Sequence, residues 1–281
     1  MPPCDHEEAD TRLLIHLQDA LRNGCTNCMV RTVDMNVVVI LLGNFHHLMT
    51  LCQDVKIWVA FGTGKTFTYH YINAIYEKLG REKSLVHPVF HSFTGYDTTS
   101  AFFGRGKKSA WEAWNCYPDV SHAFTYMALH PFTKLEIDDE NFKLLERFTV
   151  ILYDKTSDVE HVNEARKELF CQKSKTMEKL PPTRDALLQH SKRVAYQAGV
   201  WCTSVHSEQH APNPEGWGWT LNEDSISCVP VWTMLPVASK ACSELVKCDC
   251  KSQSGCGGRC ACRKAGWNCT ELCGCQCMNM A

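Results

Sequence analysis

The sequence lacks a long apolar run. Its longest, residues 37–42, falls far short of the roughly 20 residues a membrane-spanning helix needs, so no membrane partner is expected. The first ten residues, MPPCDHEEAD, are polar and acidic, with nothing like the apolar stretch of a secretory leader. Neither sign of charge dominates: 29 Lys and Arg stand against 31 Asp and Glu, a formal net charge of -2. Any basic footprint for nucleic acid must therefore be local. There is no internal repeat and no low-complexity tract, which removes repeat arrays and linker-like chains from consideration.

Cysteine is what the chain has in excess. Nine of its 18 cysteines crowd into residues 248–277, in CxC pairs and overlaps, while the other nine are scattered. Without an export signal, reduced thiols and metal binding are the better reading than disulfides, and the nucleus or the cytosol is the expected location. The remaining composition, 44% hydrophobic and 21% charged, fits a globular chain able to bury a core.

The first half alternates between helical and strand patterns. Residues 5–23 place apolar side chains at helical period, with an Asp5/Glu8 capping box and an Asn23-Gly24 stop. Residues 29–33 and 56–61 are strand candidates, the latter followed by a turn at Gly62-Thr63-Gly64. The run VVVILL is ambiguous, because Asn36 could cap a helix reaching about Thr50. Residues 72–79 are helical, with Gly80 as the stop. Such alternation predicts an α/β layer with parallel strands. Beyond about residue 135 helices dominate, over 140–152, 159–171 and a third opened by Pro181-Pro182-Thr183. Residues 203–231 read as a long loop. The expected organisation is an α/β domain over 1–130, a mostly helical region over 131–240, and a cysteine module over 241–281.

The tail offers Cys248, Cys250, Cys256, Cys260, Cys262, Cys269, Cys273, Cys275 and Cys277 as ligands. Structural zinc favours closed tetrahedral sulfur sites. Nine thiolates fill the coordination of three zinc ions if three of them bridge. A disulfide-rich tail or a two-zinc site with a spare thiol are the alternatives. Lys251, Arg259, Arg263 and Lys264 make the surroundings basic and are candidate phosphate contacts. The middle of the run, CxC-x6-C-x3-CxC, resembles the tesmin-type CXC domain, a DNA-binding zinc module. In place of that family's minor-groove tyrosine stands Arg259. The resemblance implies structural zinc and DNA as partner, with RNA as the alternative; protein partners are not indicated.

A second set of residues lies near the start. HEEADTRLL, RTVDMNVVVILL and FTGYDTTSAFFGRGKKSAWEAW resemble three landmarks of the flap-endonuclease (PIN-like 5′ nuclease) superfamily, whose members hold two magnesium ions in a ring of carboxylates. The resemblance implies a truncated PIN-like fold. It matches Glu8, Asp10, Asp34 and Asp97 to magnesium ligands and Arg105, Lys107 and Lys108 of the GRGKK turn to phosphate contacts. Asn36 stands where the family has its second strand-end acid, and the family's two N-terminal aspartates have no counterpart. Read without the resemblance, the acids can serve a helix dipole and turns, and GRGKK an exposed loop. The stretch FGTGKT is not a phosphate loop, since the required glycine is Val59. The helical segments LLERFTVILYDKTS, VNEARKELF and PPTRDALLQHSKRVAYQAG are similar to those of transposon-derived animal proteins. The expected function is nucleic-acid binding organised by zinc, with a degraded nuclease-like centre. An active magnesium nuclease completed by a partner or longer isoform, and a zinc-organised protein-interaction module, are the alternatives.

Overall fold

The computed structural model describes residues 3–171, 179–222, 227–233, 248, 250, 256, 260–264, 269 and 273. It is a mixed α/β structure. Helix α1 (Ala9–Arg22) leads into strand β1 (Asn27–Thr32), helix α2 (Met35–Leu51), strands β2 (Lys56–Phe61) and β3 (Thr68–Tyr71), and helix α3 (Ile72–Phe93). Then follow α4 (Lys107–Cys116), α5 (Val120–Leu129), α6 (Glu140–Tyr153), α7 (Val162–Cys171) and α8 (Arg184–Cys202), the short pair β4 (Trp219–Leu221) and β5 (Cys228–Pro230), and α9 (Ala261–Lys264).

The sheet has the order β1-β2-β3. The expected parallel pairing holds for β1 and β2, whereas β3 returns antiparallel to β2. Only the last fits a tight connection, since parallel strands need a crossover, here α2. Gly62 makes the β2–β3 turn possible: its φ is +84°, and a Cβ there would meet the Thr66 carbonyl oxygen at 2.7 Å.

The ambiguous VVVILL run is helical. Residues 37–42 are all buried, and a helix apolar on every side belongs inside. Its cap is Asp34, whose carboxylate accepts the Asn36 N–H at 2.8 Å; Asn36 does not cap the helix. The Asp5/Glu8 capping box does not form either. Helix α1 begins at Ala9 without a side-chain cap, and Asp5 instead accepts the Gln209 backbone N–H. Gly80 acts as anticipated, with φ 79°, but the chain resumes a helix beyond it, so α3 is two helices joined at a kink. The second carries Pro88, whose ring lies where a side chain on Gly43 would have to go, so α2 and α3 approach closely.

Two cores result. The inner sheet face (Val30, Ile57, Val59) packs with α1, α2 and Trp201. The larger core joins the second half of α3 with α4 to α8 and Trp217, so helices on both sides of residue 130 share it. Burying each such aliphatic side chain contributes about 1.5–3 kcal/mol. At the helical end the fully buried Glu146 accepts from Arg184 Nε and His161 Nδ1, both at 3.0 Å, and from the Val162 N–H at 3.1 Å. One carboxylate on α6 thus holds the starts of α7 and α8. Glu146→Ala should lower the unfolding free energy by about 3–5 kcal/mol, because it strands the partly buried Arg184. Chemical denaturation checks this; a loss below about 1 kcal/mol would show the network to be dispensable.

Candidate metal centre and carboxylate cluster

The described cysteines of the tail form their own buried cluster. Cys248, Cys256, Cys260 and Cys262 are nearly inaccessible, with Cys250, Cys269 and Cys273 packed against them. Two tetrads bring their sulfurs within 4.8 Å of one another: Cys248, Cys260, Cys262 and Cys269, and Cys248, Cys250, Cys256 and Cys260. Both contain Cys248 and Cys260. Sulfur separations are 3.8 Å for Cys248–Cys269 and Cys260–Cys269, 3.5 Å for Cys256–Cys269 and 3.6 Å for Cys262–Cys273. A disulfide would need about 2.05 Å. Tetrahedral zinc with bonds of about 2.3 Å places its sulfurs about 3.8 Å apart. The donor set and its spacing therefore fit zinc, and this cysteine cluster could hold it.

Local backbone favours thiolate at one of the shared sulfurs. The Cys260 thiol is brought down to about 6, first by the Arg263 backbone N–H and then, against the effect of burial, by the Cys256, Cys248 and Cys269 thiols. Burial, and then Cys273, pushes Cys262 up to about 11. Such opposed tendencies are what closely packed thiols show when no cation balances them, and a divalent ion would hold both as thiolates. The four-residue helix α9 supplies this geometry, and the Arg263 guanidinium donates to the Cys256 carbonyl at 2.7 Å while staying solvent-accessible. Lys264 is exposed beside it. Cys275, Cys277, Lys251 and Arg259 lie outside the described residues.

The four predicted carboxylates all bear on Tyr96 electrostatically. That phenol is pushed upward first by burial and then by Glu8, Asp97, Asp34 and Asp10, so all four act on one group. Asp10 is itself raised, by burial, then Asp34 and Glu8, with the Asn36 side chain pulling the other way through a hydrogen bond. Glu8 accepts from Gln197 Nε2 at 3.1 Å and from the Trp201 indole N–H at 3.2 Å. Asp34 is engaged in capping α2, and Asp97 is exposed in the turn after α3. Among the described residues, only cysteines bring three or more ligand atoms within 4.8 Å of one another, so the carboxylates converge without closing to that spacing. Beside them opens a cleft of about 500 Å³ lined in part by Glu7, Glu8, Thr98, Tyr196 and Trp219.

Sequence reasoning missed Tyr96, Gln197 and Trp201. Tyr96 adjoins Asp97 in FTGYD and was within reach of that motif. The two α8 residues are about 190 positions away from Glu8, and nothing local announces them.

The GRGKK turn is largely occupied with the fold. Arg105 donates to the Tyr153 carbonyl at 2.9 Å and lies over the Tyr153 ring. Lys107 is exposed along its stem, but its ammonium folds back to the His91 and Gly95 carbonyls and the Thr94 hydroxyl, at 2.8–3.1 Å, and the partial desolvation of that end brings it down to about 8. It closes the C-terminal end of α3, a favourable place for a cation. Lys108 is exposed at the start of α4. Comparison with family models, with curated proteins and with solved structures gave no match for this chain.

Lys107→Met should lower the melting temperature by several degrees through loss of the three acceptors' partner. Thermal unfolding followed by circular dichroism checks this, and an unchanged midpoint would mean the ammonium is not needed there.

Proposed function

We propose that this chain is a zinc-organised nucleic-acid-binding protein of mobile-element origin, whose carboxylate cluster is the remnant of a nuclease centre. The observation that carries the reading is the pair of thiolate tetrads with Cys248 and Cys260 in common. Shared thiolates are what a multinuclear cluster requires and what separate mononuclear sites do not. Nine thiolates around three zinc ions leave a net charge of -3, which Arg263 and Lys264 at the cluster's edge help offset. The same two cations could meet phosphate, as the similarity to tesmin-type CXC modules implies. DNA is the partner this reading favours and RNA the second. The PIN-like and transposon-derived resemblances rest on the quoted sequence motifs.

The surroundings of the acids support the loss of nuclease chemistry. Magnesium needs several anionic oxygens and surrenders its water reluctantly. Glu8 spends both oxygens on α8, Asp34 spends one on a helix cap, and the buried Asn36 meets Asp10 as a neutral donor. A neutral amide there stabilises closely spaced acids with no cation present. The alternative, an active magnesium nuclease, draws on the convergence of the four acids around Tyr96.

Reduced chain should contain close to three zinc ions by elemental analysis. Chelation should unravel the tail, since metal binding and folding are coupled in small cysteine modules. A metal-free, folded tail would reject the cluster. Arg263→Ala with Lys264→Ala should weaken duplex binding whatever the sequence and reduce the slope of log affinity against log salt by up to about 0.9 per cation. Unaltered affinity would move DNA binding away from the tail.

The chain should cleave flap or single-stranded DNA barely above background with magnesium. Asn36→Asp should lower the melting temperature without magnesium and make it rise on magnesium addition, yet fail to restore full cleavage. Robust cleavage by the unaltered chain, abolished by Asp97→Ala, would establish the enzyme instead.

A further inference from the structure

Among the described residues, the β1-β2-β3 sheet is covered on one face only. Val30, Ile57 and Val59 point into the core beneath α1 and α2. The register puts Met29, Trp58 and Tyr71 in one row on the opposite face, and Arg31, Ala60 and Tyr69 in the next. That face carries a concentration of exposed apolar surface: Met29 is 64% accessible, Tyr69 58%, Trp58 38% and Phe67 37%. Patches of this kind mark interaction sites, and a parallel pair is normally covered on both faces.

Aromatic rings dominate the patch, and they are braced. Trp58 stacks on Tyr71 at 4.4 Å between centroids, Phe67 meets Tyr69 edge-on at 5.0 Å, and the Arg31 guanidinium lies over Phe67 at 4.9 Å. Strands β1, β2 and β3 and the turn between the last two (residues 27–32 and 56–71) contain Arg31, Lys56 and Lys65 and no Asp or Glu; Asp34 and Asp54 lie just beyond, in the α2 crossover from β1 to β2. Lys56 and Lys65 are exposed and form no ion pair among the described residues.

A second copy would bring the same cations against this face and repel. An apolar peptide would leave the lysines unmatched. A single-stranded nucleic acid satisfies both features, because bases stack on exposed rings and phosphates pair with the flanking cations. We propose that this open sheet face binds single-stranded nucleic acid, with bases on Tyr69, Phe67 and Trp58 and the backbone along Arg31, Lys56 and Lys65. The site is separate from the cysteine tail and does not depend on it. Stacking tolerates any base, so the preference is for unpaired over paired strands and not for a sequence.

The test uses the full, reduced, zinc-loaded chain and fluorescence anisotropy with labelled oligo-dT and oligo-U. Tyr69→Ala and Phe67→Ala, both at exposed positions, should each weaken binding by about 5- to 150-fold. Lys56→Ala and Lys65→Ala should each reduce the log–log salt slope by about 0.7. Tyr69→Ala and Phe67→Ala should leave duplex affinity within about twofold, whereas the tail variant Arg263→Ala with Lys264→Ala should reduce it, which separates this site from the tail. The proposal is overturned if Tyr69→Ala and Phe67→Ala bind like the unaltered chain. It is equally overturned if only the tail variant loses single-strand binding. Concentration-dependent self-association abolished by Tyr69→Ala, with no oligonucleotide binding, would assign the face to a second copy.

Discussion

The two oxygens of Glu8, accepting from Gln197 and Trp201, join the beginning of the described chain to its last long helix. Helix α8 contributes Leu187, Val194 and Ala198 to the larger core and Trp201 to the smaller one. Helix α8 thus fastens the sheet half to the helical half, as does α3, which also contributes to both cores. Tyr96 packs edge-on against the Trp201 ring at 4.8 Å, which places the turn after α3 in the same junction. The position of the acids is thus a consequence of how two cores are fastened.

Much of this was legible locally. Strand β2 follows from KIWVAF flanked by turn residues, and α8 from Thr183, whose hydroxyl accepts the Ala186 N–H as an N-cap should. The break at Gly80 and the helical 140–152 segment were equally readable, but the helix that resumes beyond Gly80 was not. What escaped was decided by distant partners. Residues 37–42 look the same whether buried as a strand or as a helix enclosed on all sides; the close approach of Gly43 to Pro88 belongs to the helix. Asp5 leaves its capping role because Gln209 offers a donor, and the Lys107 ammonium folds back on the chain because the end of α3 offers acceptors. Strand β3 was hidden because TYHY has no apolar alternation and sits at an exposed edge.

The candidate site divides in the same way. Metal-ligand spacing in the tail is written into CxC pairs, since residues two apart can turn both sulfurs to one ion. Which sulfurs come within 4.8 Å of one another is not written in the spacing. The acids were found through motif resemblance, and their convergence needs strand ends, a helix start and a turn brought together. No local pattern in Gln197 or Trp201 points to Glu8.

The two clusters handle crowded negative charge in opposite ways. In the tail, the sulfurs are packed so closely that a soft divalent cation is the natural compensator, and the Cys260 thiol is already drawn toward thiolate by a backbone N–H. Near Tyr96, compensation comes from neutral donors: an amide at Gln197, an indole at Trp201, and the Asn36 side chain beside Asp10. Each such donor uses a lone pair that a hard cation would need, and it brings no charge of its own. The two sets of side chains thus differ in kind: cysteines that lie close enough together to hold a metal, and carboxylates engaged by neutral donors of the protein itself.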